Sequence, residues 1–504
     1  MERVAVVDMG SNSWRLVVFG YEPGTPWWSL VDEIREAVRI SAGMAERSDP
    51  MRPERVELAL HTAALFSAFC RAHGIDRIEA VATSAIRDAA NGPELLDRIR
   101  DQTGLTARVI SGREEAHYGW LAIANSTTIE DGFGLDMGGG SIQTMRLEGR
   151  RLAASMSLPL GSVRVSEEFL PGEKATPKGM RALRKRVAGD LRELGWWSGG
   201  GRLVGIGGTI RNLAAAAMKR RDLPDIDVQG FELTRDAVEE LIEELAERPA
   251  SKRGGVRGIK PDRGDVILGG ALVLATTLEE GGFEAVEVTE AGLREGVFFE
   301  GLLGTRELFM DVRQESVENL AHRFSTDHDH VHHVARLSLA MFNGLGAAGL
   351  HDLGDAEREL LWAACILHDI GTAIDYDDHH RHSQYLILNA GLPGYSPREL
   401  VLIGLIARYH RKGEPDTSQL GDLAEPGDLE RLGVLCGVIR LAEQLERSRD
   451  RSIRAVSVGT VNGKVELQAS TAPDGDPSVP IWAARQSSGL LAEAIGRPVE
   501  IQTR

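Results

Sequence analysis

Cysteine is scarce in this 504-residue chain: Cys70, Cys365 and Cys436 stand far apart, mostly within apolar helical sequence. That spacing offers neither a disulfide framework nor a thiolate metal site, and it reads as small core residues of a reducing compartment. Positive charge is in deficit as well. The 58 Lys plus Arg against 75 Asp plus Glu leave a formal net charge of -17, which opposes general affinity for nucleic acid or an anionic membrane. No apolar run reaches membrane-spanning length, and the opening MERVAVVD lacks the basic region, apolar stretch and cleavage site of an export signal. The expectation is a soluble, cytoplasmic protein with no nucleic-acid and no membrane partner.

What is present is enough apolar sequence, 42%, to fill several cores, and the length predicts two to four domains. Residues 4–7 form an apolar run ending in Asp8, and a strand pattern resumes at 15–21 after a polar turn. The device returns further on: a short strand at 134–136, the turn Gly138-Gly139-Gly140-Ser141, then a strand through 142–147. A strand, an aspartate and a small-residue turn in each half imply two similar lobes facing across a cleft, at 1–124 and 125–305. A third glycine turn, Gly207-Gly208-Thr209, follows the strand at 203–206 and precedes an alanine-rich helix. Beyond residue 305 helical periodicity dominates to about 450, and residues 451–504 read as a small α/β appendage that ends in a helix over 481–496.

The turns carry the chemistry. Asp8, at a strand end, can orient a metal-bound water, and Asp136 stands at the equivalent place before the second loop, while the glycine loops let backbone N–H groups converge on phosphate. The first loop equally suits an ordinary hairpin, but three successive glycines at 138–140 exceed what a turn requires. Glu114 and Glu115 open a helix after Ser111-Gly112; Glu114 suits a capping role, and Glu115 could deprotonate an attacking water. Arg87 and Arg211 could grip phosphate with a guanidinium fork, or serve only as surface ion-pair residues. Basic clusters at 174–186, 219–221 and 252–263 could guide a polyanion or simply be solvated helix faces.

Read together, DMGSNSWRL (8–16), TSAIRDAAN (83–91), ISGREEA (110–116), DMGGGS (136–141) and GIGGT (205–209) resemble the exopolyphosphatase/guanosine pentaphosphate phosphohydrolase family. The resemblance implies an α/β fold of two actin/Hsp70-like (ribonuclease H-like) lobes followed by a mainly helical domain. It implies Glu115 as catalytic base and Asp136 as the aspartate assisting magnesium binding and water activation, with Asp8 as its partner in the first loop. Phosphate is then expected near Ser11, Asn12, Arg87, Gly139, Gly140, Ser141, Gly208 and Thr209. Its implied substrates are inorganic polyphosphate or guanosine pentaphosphate, its cofactor Mg2+ with Mn2+ an alternative, and its assembly a homodimer.

Within 306–450, His368-Asp369 follows a buried-looking helical run and His330 lies at an earlier helix start, a pattern similar to the HD-domain phosphohydrolases. That resemblance implies a second divalent metal at His330, His368, Asp369 and Glu443, the last standing where the pattern has aspartate. His379, His380, His382 and His410 could add a second metal or phosphate contact, or form a protonatable cluster. Three readings stay open: hydrolysis of terminal phosphoanhydrides in the front lobes, nucleotide hydrolysis in the HD-like domain, or a sensor of polyphosphate or alarmone that cleaves nothing.

Overall fold

The computed structural model describes residues 1–44 and 48–503. Contacts divide the chain into two units, one of Met1–Arg221 with Val228–Val312 and one of Asp222–Asp227 with Arg313–Arg504.

The first unit contains two sheets of related topology. In the first sheet, β1 (Glu2–Met9), β2 (Trp14–Tyr21) and β3 (Trp28–Glu36) form an antiparallel meander, and β4 (Arg77–Ala82) and β5 (Ala107–Val109) add on the other side of β1 in parallel, in the order β3-β2-β1-β4-β5. In the second, β6 (Gly132–Met137), β7 (Ile142–Glu148) and β8 (Arg151–Leu158) repeat the meander, and β9 (Leu203–Ile206) and β11 (Ala285–Val288) repeat the parallel additions. The short strand β10 (Glu232–Thr234) extends that edge. The two lobes are thus of the actin-like, ribonuclease H-like kind, and the doubling read from the glycine turns is a doubling of whole sheets.

Residues 4–7 are buried on both sides because β1 is the strand where meander and parallel additions meet, so each face packs apolar side chains. The helix Leu293–Leu303 returns from the second sheet to the first, where Phe298 stacks on Phe19 with ring centroids 4.3 Å apart. The sequence reading places these residues in the second lobe; they pack on β1 and β2 and also on the helix Gly112–Ala124.

The second unit packs helices His328–Ala347, Asp355–Leu367, Pro397–Tyr409 and Asp428–Leu445 around one core. That core also takes in Ile453, Val465, Leu467 and Ile501 from a small sheet, β12 (Ile453–Val461), β13 (Lys464–Thr471) and β14 (Val499–Thr503), so 451–504 shares the helical core instead of forming an appendage with a core of its own. The single helix expected over 481–496 is two, Ser478–Gln486 and Gly489–Ala494, interrupted at Ser487-Ser488, and the chain then enters β14. No described helix is long and apolar enough to cross a membrane. The cysteines are buried and free.

Candidate active site

The two repeated hairpins put equivalent residues at equivalent places. Asp8 lies opposite Arg15 in the first, and Asp136 lies opposite Gln143 in the second. Both aspartates line one cavity together with Glu115, the loops Gly10–Ser13 and Gly138–Ser141, and Gly207-Gly208. Glu115 arrives from the first turn of the helix Gly112–Ala124. Ser111 Oγ accepts from the Glu114 N–H at 3.2 Å, and the Glu114 carboxylate accepts from the Ser111 N–H at 2.7 Å, a capping box that sets where the helix begins. Glu114 therefore faces its own backbone while Glu115 turns inward, 6% exposed.

Glu115 is held at both oxygens. Arg87 Nη1 donates to Oε1 at 2.5 Å and also to the Ile110 carbonyl at 2.8 Å, while Gln143 Nε2 donates to Oε2 at 2.8 Å. Burial raises the Glu115 pKa, opposed by Arg87 and reinforced by Asp8. Burial likewise raises Asp8, with Arg294 and Arg15 pulling it back. Asp136 is pushed up to about 7, by burial first and then by the charges of Glu115 and Asp8. Three mutually repelling carboxylates, Glu115 buried and Asp8 and Asp136 half-buried, call for a cation, and an all-oxygen donor set suits Mg2+ or Mn2+.

The cavity is also lined by bases. Arg15, Arg211, Arg263 and Arg294 line the same cavity. Burial, then the neighbouring Arg294 and Arg211, lower Arg15 to about 10, and burial with Arg35 lowers Arg263 to about 10. One Arg294 guanidinium nitrogen is buried without a hydrogen-bond partner. Glu33, 3.0 Å from Arg15 and 3.8 Å from that Arg294 nitrogen, offsets part of this charge, and a bound anion would offset more. At the rim, Arg35 meets Asp262 at 2.5 Å and Arg39 meets Asp265 at 2.9 Å, joining the lobes.

Of the expected phosphate ligands, Ser11, Asn12, Gly139, Gly140, Ser141 and Gly208 line the cavity. Arg87 and Thr209 are not among the lining residues: the first backs Glu115, and the second is 1% exposed with its hydroxyl unpaired. The glycine triplet also has a protein neighbour, because a Cβ at Gly140 would lie 2.4 Å from Ser84 Oγ and 2.8 Å from Ser11 Oγ. A side chain there would have to push both hydroxyls aside, so the close approach of the lobes favours glycine. Gln143 and Arg294 escaped the sequence reading. Alternation along β7 from Ser141 could have flagged Gln143; no motif surrounds Arg294. Of the basic clusters, Arg184 pairs with Glu239, Arg186 with Asp190 and Arg220 with Glu244, Arg253 is 1% exposed, and Arg263 lines the cavity.

In the helical unit His330, His368, Asp369 and Glu443 also converge. His330 Nε2 and His368 Nε2 lie 3.1 and 3.2 Å from the same Glu443 oxygen. Burial alone would raise Glu443, but the two imidazoles beside it prevail and hold it well below the usual carboxylate range.

Two actin-like lobes with aspartate-bearing hairpins facing across an acidic and basic cavity define a phosphate-handling member of that fold class. A model of the Ppx/GppA phosphatase family matches residues 17–305, and the model of that family's domain III matches 312–474. The chain belongs to the Ppx/GppA phosphatase family, and phosphohydrolase chemistry follows at that level. Among solved structures it is similar to an Aquifex aeolicus member of the family, at 28% identity over 60% of this chain and 98% of that one, TM-score 0.52. An Aquifex aeolicus PPX-GPPA enzyme matches at 29% over 59% and 98%, TM-score 0.51. An exopolyphosphatase from Cytophaga hutchinsonii shares the fold at 21% identity over 61% and 100%, TM-score 0.56.

Proposed function

We propose that the cleft of the first unit releases orthophosphate from the end of inorganic polyphosphate, with guanosine pentaphosphate the alternative substrate of the same chemistry. The observation carrying this reading is the placement on one cavity of Glu115, Asp8 and Asp136 against Arg15, Arg211, Arg263 and Arg294. Such a lining accepts a cation and a polyanion together.

Asp8 and Asp136 are the residues that would hold the divalent cation, which offsets charge building on phosphoryl oxygens and lowers the pKa of a bound water. The glycine loops and arginines orient the terminal phosphoryl group. Glu115, fixed by Arg87 and Gln143, takes the proton from the attacking water. The P–O bond of the terminal anhydride breaks as the water oxygen bonds to phosphorus, leaving a chain one phosphate shorter. A kinase would direct the phosphoryl group to a hydroxyl; a general base serves either acceptor, and the match to a phosphatase family supports water.

The test is phosphate release with Mg2+ from long-chain polyphosphate and from guanosine pentaphosphate, by wild type and Glu115→Gln. Loss in the variant supports the cleft. Release that survives moves the chemistry elsewhere, and no release by wild type from either substrate favours a sensor.

A further inference from the structure

The cluster in the helical unit extends beyond the four residues that the sequence brings together. Asp369 faces three histidines with its two oxygens: Oδ2 lies 3.8 Å from His330 Nε2, and Oδ1 lies 3.6 Å from His368 Nε2 and 3.3 Å from His379 Nε2. His379 Nε2 in turn lies 3.1 Å from His410 Nε2. Two triads, His330/His368/Asp369 and Asp369/His379/His410, thus share one carboxylate, and all five residues are buried.

The tautomers say what the arrangement lacks. Nδ1 of His368 lies 2.7 Å from the Cys365 carbonyl, Nδ1 of His379 lies 2.8 Å from the Tyr376 carbonyl, and Nδ1 of His410 lies 2.7 Å from the Ala407 carbonyl. A carbonyl only accepts, so each Nδ1 carries hydrogen, and the ring atom left to offer a lone pair inward is Nε2. In His379 and His410 two such lone pairs face each other, which is repulsive without a positive charge between them. His330 has neither ring nitrogen in a hydrogen bond, although Nε2 stands 3.1 Å from Glu443. Backbone carbonyls that fix the outer nitrogen so that the inner one can ligate are the usual outer shell of a metal-binding histidine. Ligand atoms about 2.0–2.2 Å from a tetrahedral ion lie roughly 3.3 Å apart, close to the spacings here.

The geometry points to a two-cation centre in the helical unit: one divalent ion on His330, His368, Asp369 and Glu443, and a second on Asp369, His379 and His410, with Asp369 bridging. The imidazole-rich donors select manganese, iron, cobalt or zinc over magnesium. Arg449, whose Nη2 lies 2.5 Å from Asp369 Oδ2, stands in for part of that positive charge and must yield the oxygen when the first ion binds.

The full-length chain, stripped with chelator and reloaded with Mn2+ in excess Mg2+, should retain about two manganese ions per chain and give the paramagnetic resonance spectrum of a spin-coupled pair. His379→Gln and His410→Gln should each lower retention to about one ion and leave an isolated-ion spectrum. Asp369→Asn should lose both, whereas Asp136→Asn in the cleft and His382→Gln on the same helix as His379 should keep both. One or no ion in wild type, an uncoupled wild-type spectrum, or a coupled pair persisting in His410→Gln would overturn the centre, whatever the cleft does to polyphosphate.

Discussion

The cleft of the first unit and the histidine cluster of the second both gather charge away from water, by different means. In the cleft, Asp8 and Asp136 stand at strand ends and Glu115, Arg211 and Arg294 in first helical turns, around open space that admits a phosphoryl group with its cation. In the cluster, side chains from helix ends already stand 3.1 to 3.8 Å apart, leaving room for ions alone. Backbone N–H groups and space serve a substrate that must enter and leave. Imidazoles fixed by their own carbonyls serve an ion that stays.

The contrast breaks most directly at Glu115. Its amide variant should lower phosphate release by about 10²–10⁴-fold, while Asp369→Asn should leave release from polyphosphate within a few fold. The reverse result would make the helical unit the catalyst and the cleft its accessory.

The next effect separates the cleft as a cation site from the cleft as an anion site. Without metal, the folded protein binds the Asp136 proton more tightly than the unfolded chain does, so ionisation costs folding free energy. Stability of the metal-free protein should therefore fall as pH rises from the ordinary 3.8 towards about 7, and stay low above it. The displacement corresponds to at most about 4 kcal/mol. Chemical unfolding with and without Mg2+ reads it: the ion should stabilise more at pH above 7 than near 4, and Asp136→Asn should flatten the metal-free profile. An equal gain from Mg2+ at both pH values would place the ion elsewhere.

What was legible in the sequence follows the same division. Asp8, Asp136 and the loops at 10–13 and 138–141 announce themselves because a short-range backbone demand forces glycine next to a strand-end acid. β3 was not read, since most of its residues, WSLVDEIRE, are exposed or half-exposed and carry no buried stripe. Arg294 reaches the cavity from the first turn of the helix Leu293–Leu303, whose start marks a cap and not a ligand, and Arg87 looks like a phosphate hook until its partner is seen to be Glu115. His379 and His410 lie 31 residues apart, and only folding places their Nε2 atoms face to face. Local chemistry shows in sequence; convergence of distant side chains does not.

A smaller effect tests how far the glycine loop belongs to the lobes and how far to the ligand. Gly140→Ala sets its Cβ against the Ser84 and Ser11 hydroxyls and should destabilise the protein by about 1–3 kcal/mol, as well as slow phosphate release. Ser84→Ala in the same chain should recover part of the stability. Full recovery of rate along with it would mean that the contact between the lobes, not approach to phosphate, is what requires glycine.

The least effect is the most specific to Glu115. Ser111→Ala removes the hydroxyl that accepts from the Glu114 N–H but leaves both carboxylates in place. It should cost about 1 kcal/mol of stability. The helix start also aims Glu115 between Arg87 and Gln143, so fraying of the first turn should lower the rate constant for phosphate release a few fold with KM nearly unchanged. If stability falls and the rate holds, the grip of Arg87 and Gln143 alone positions the base, and Gln143→Leu becomes the variant in which the rate must drop.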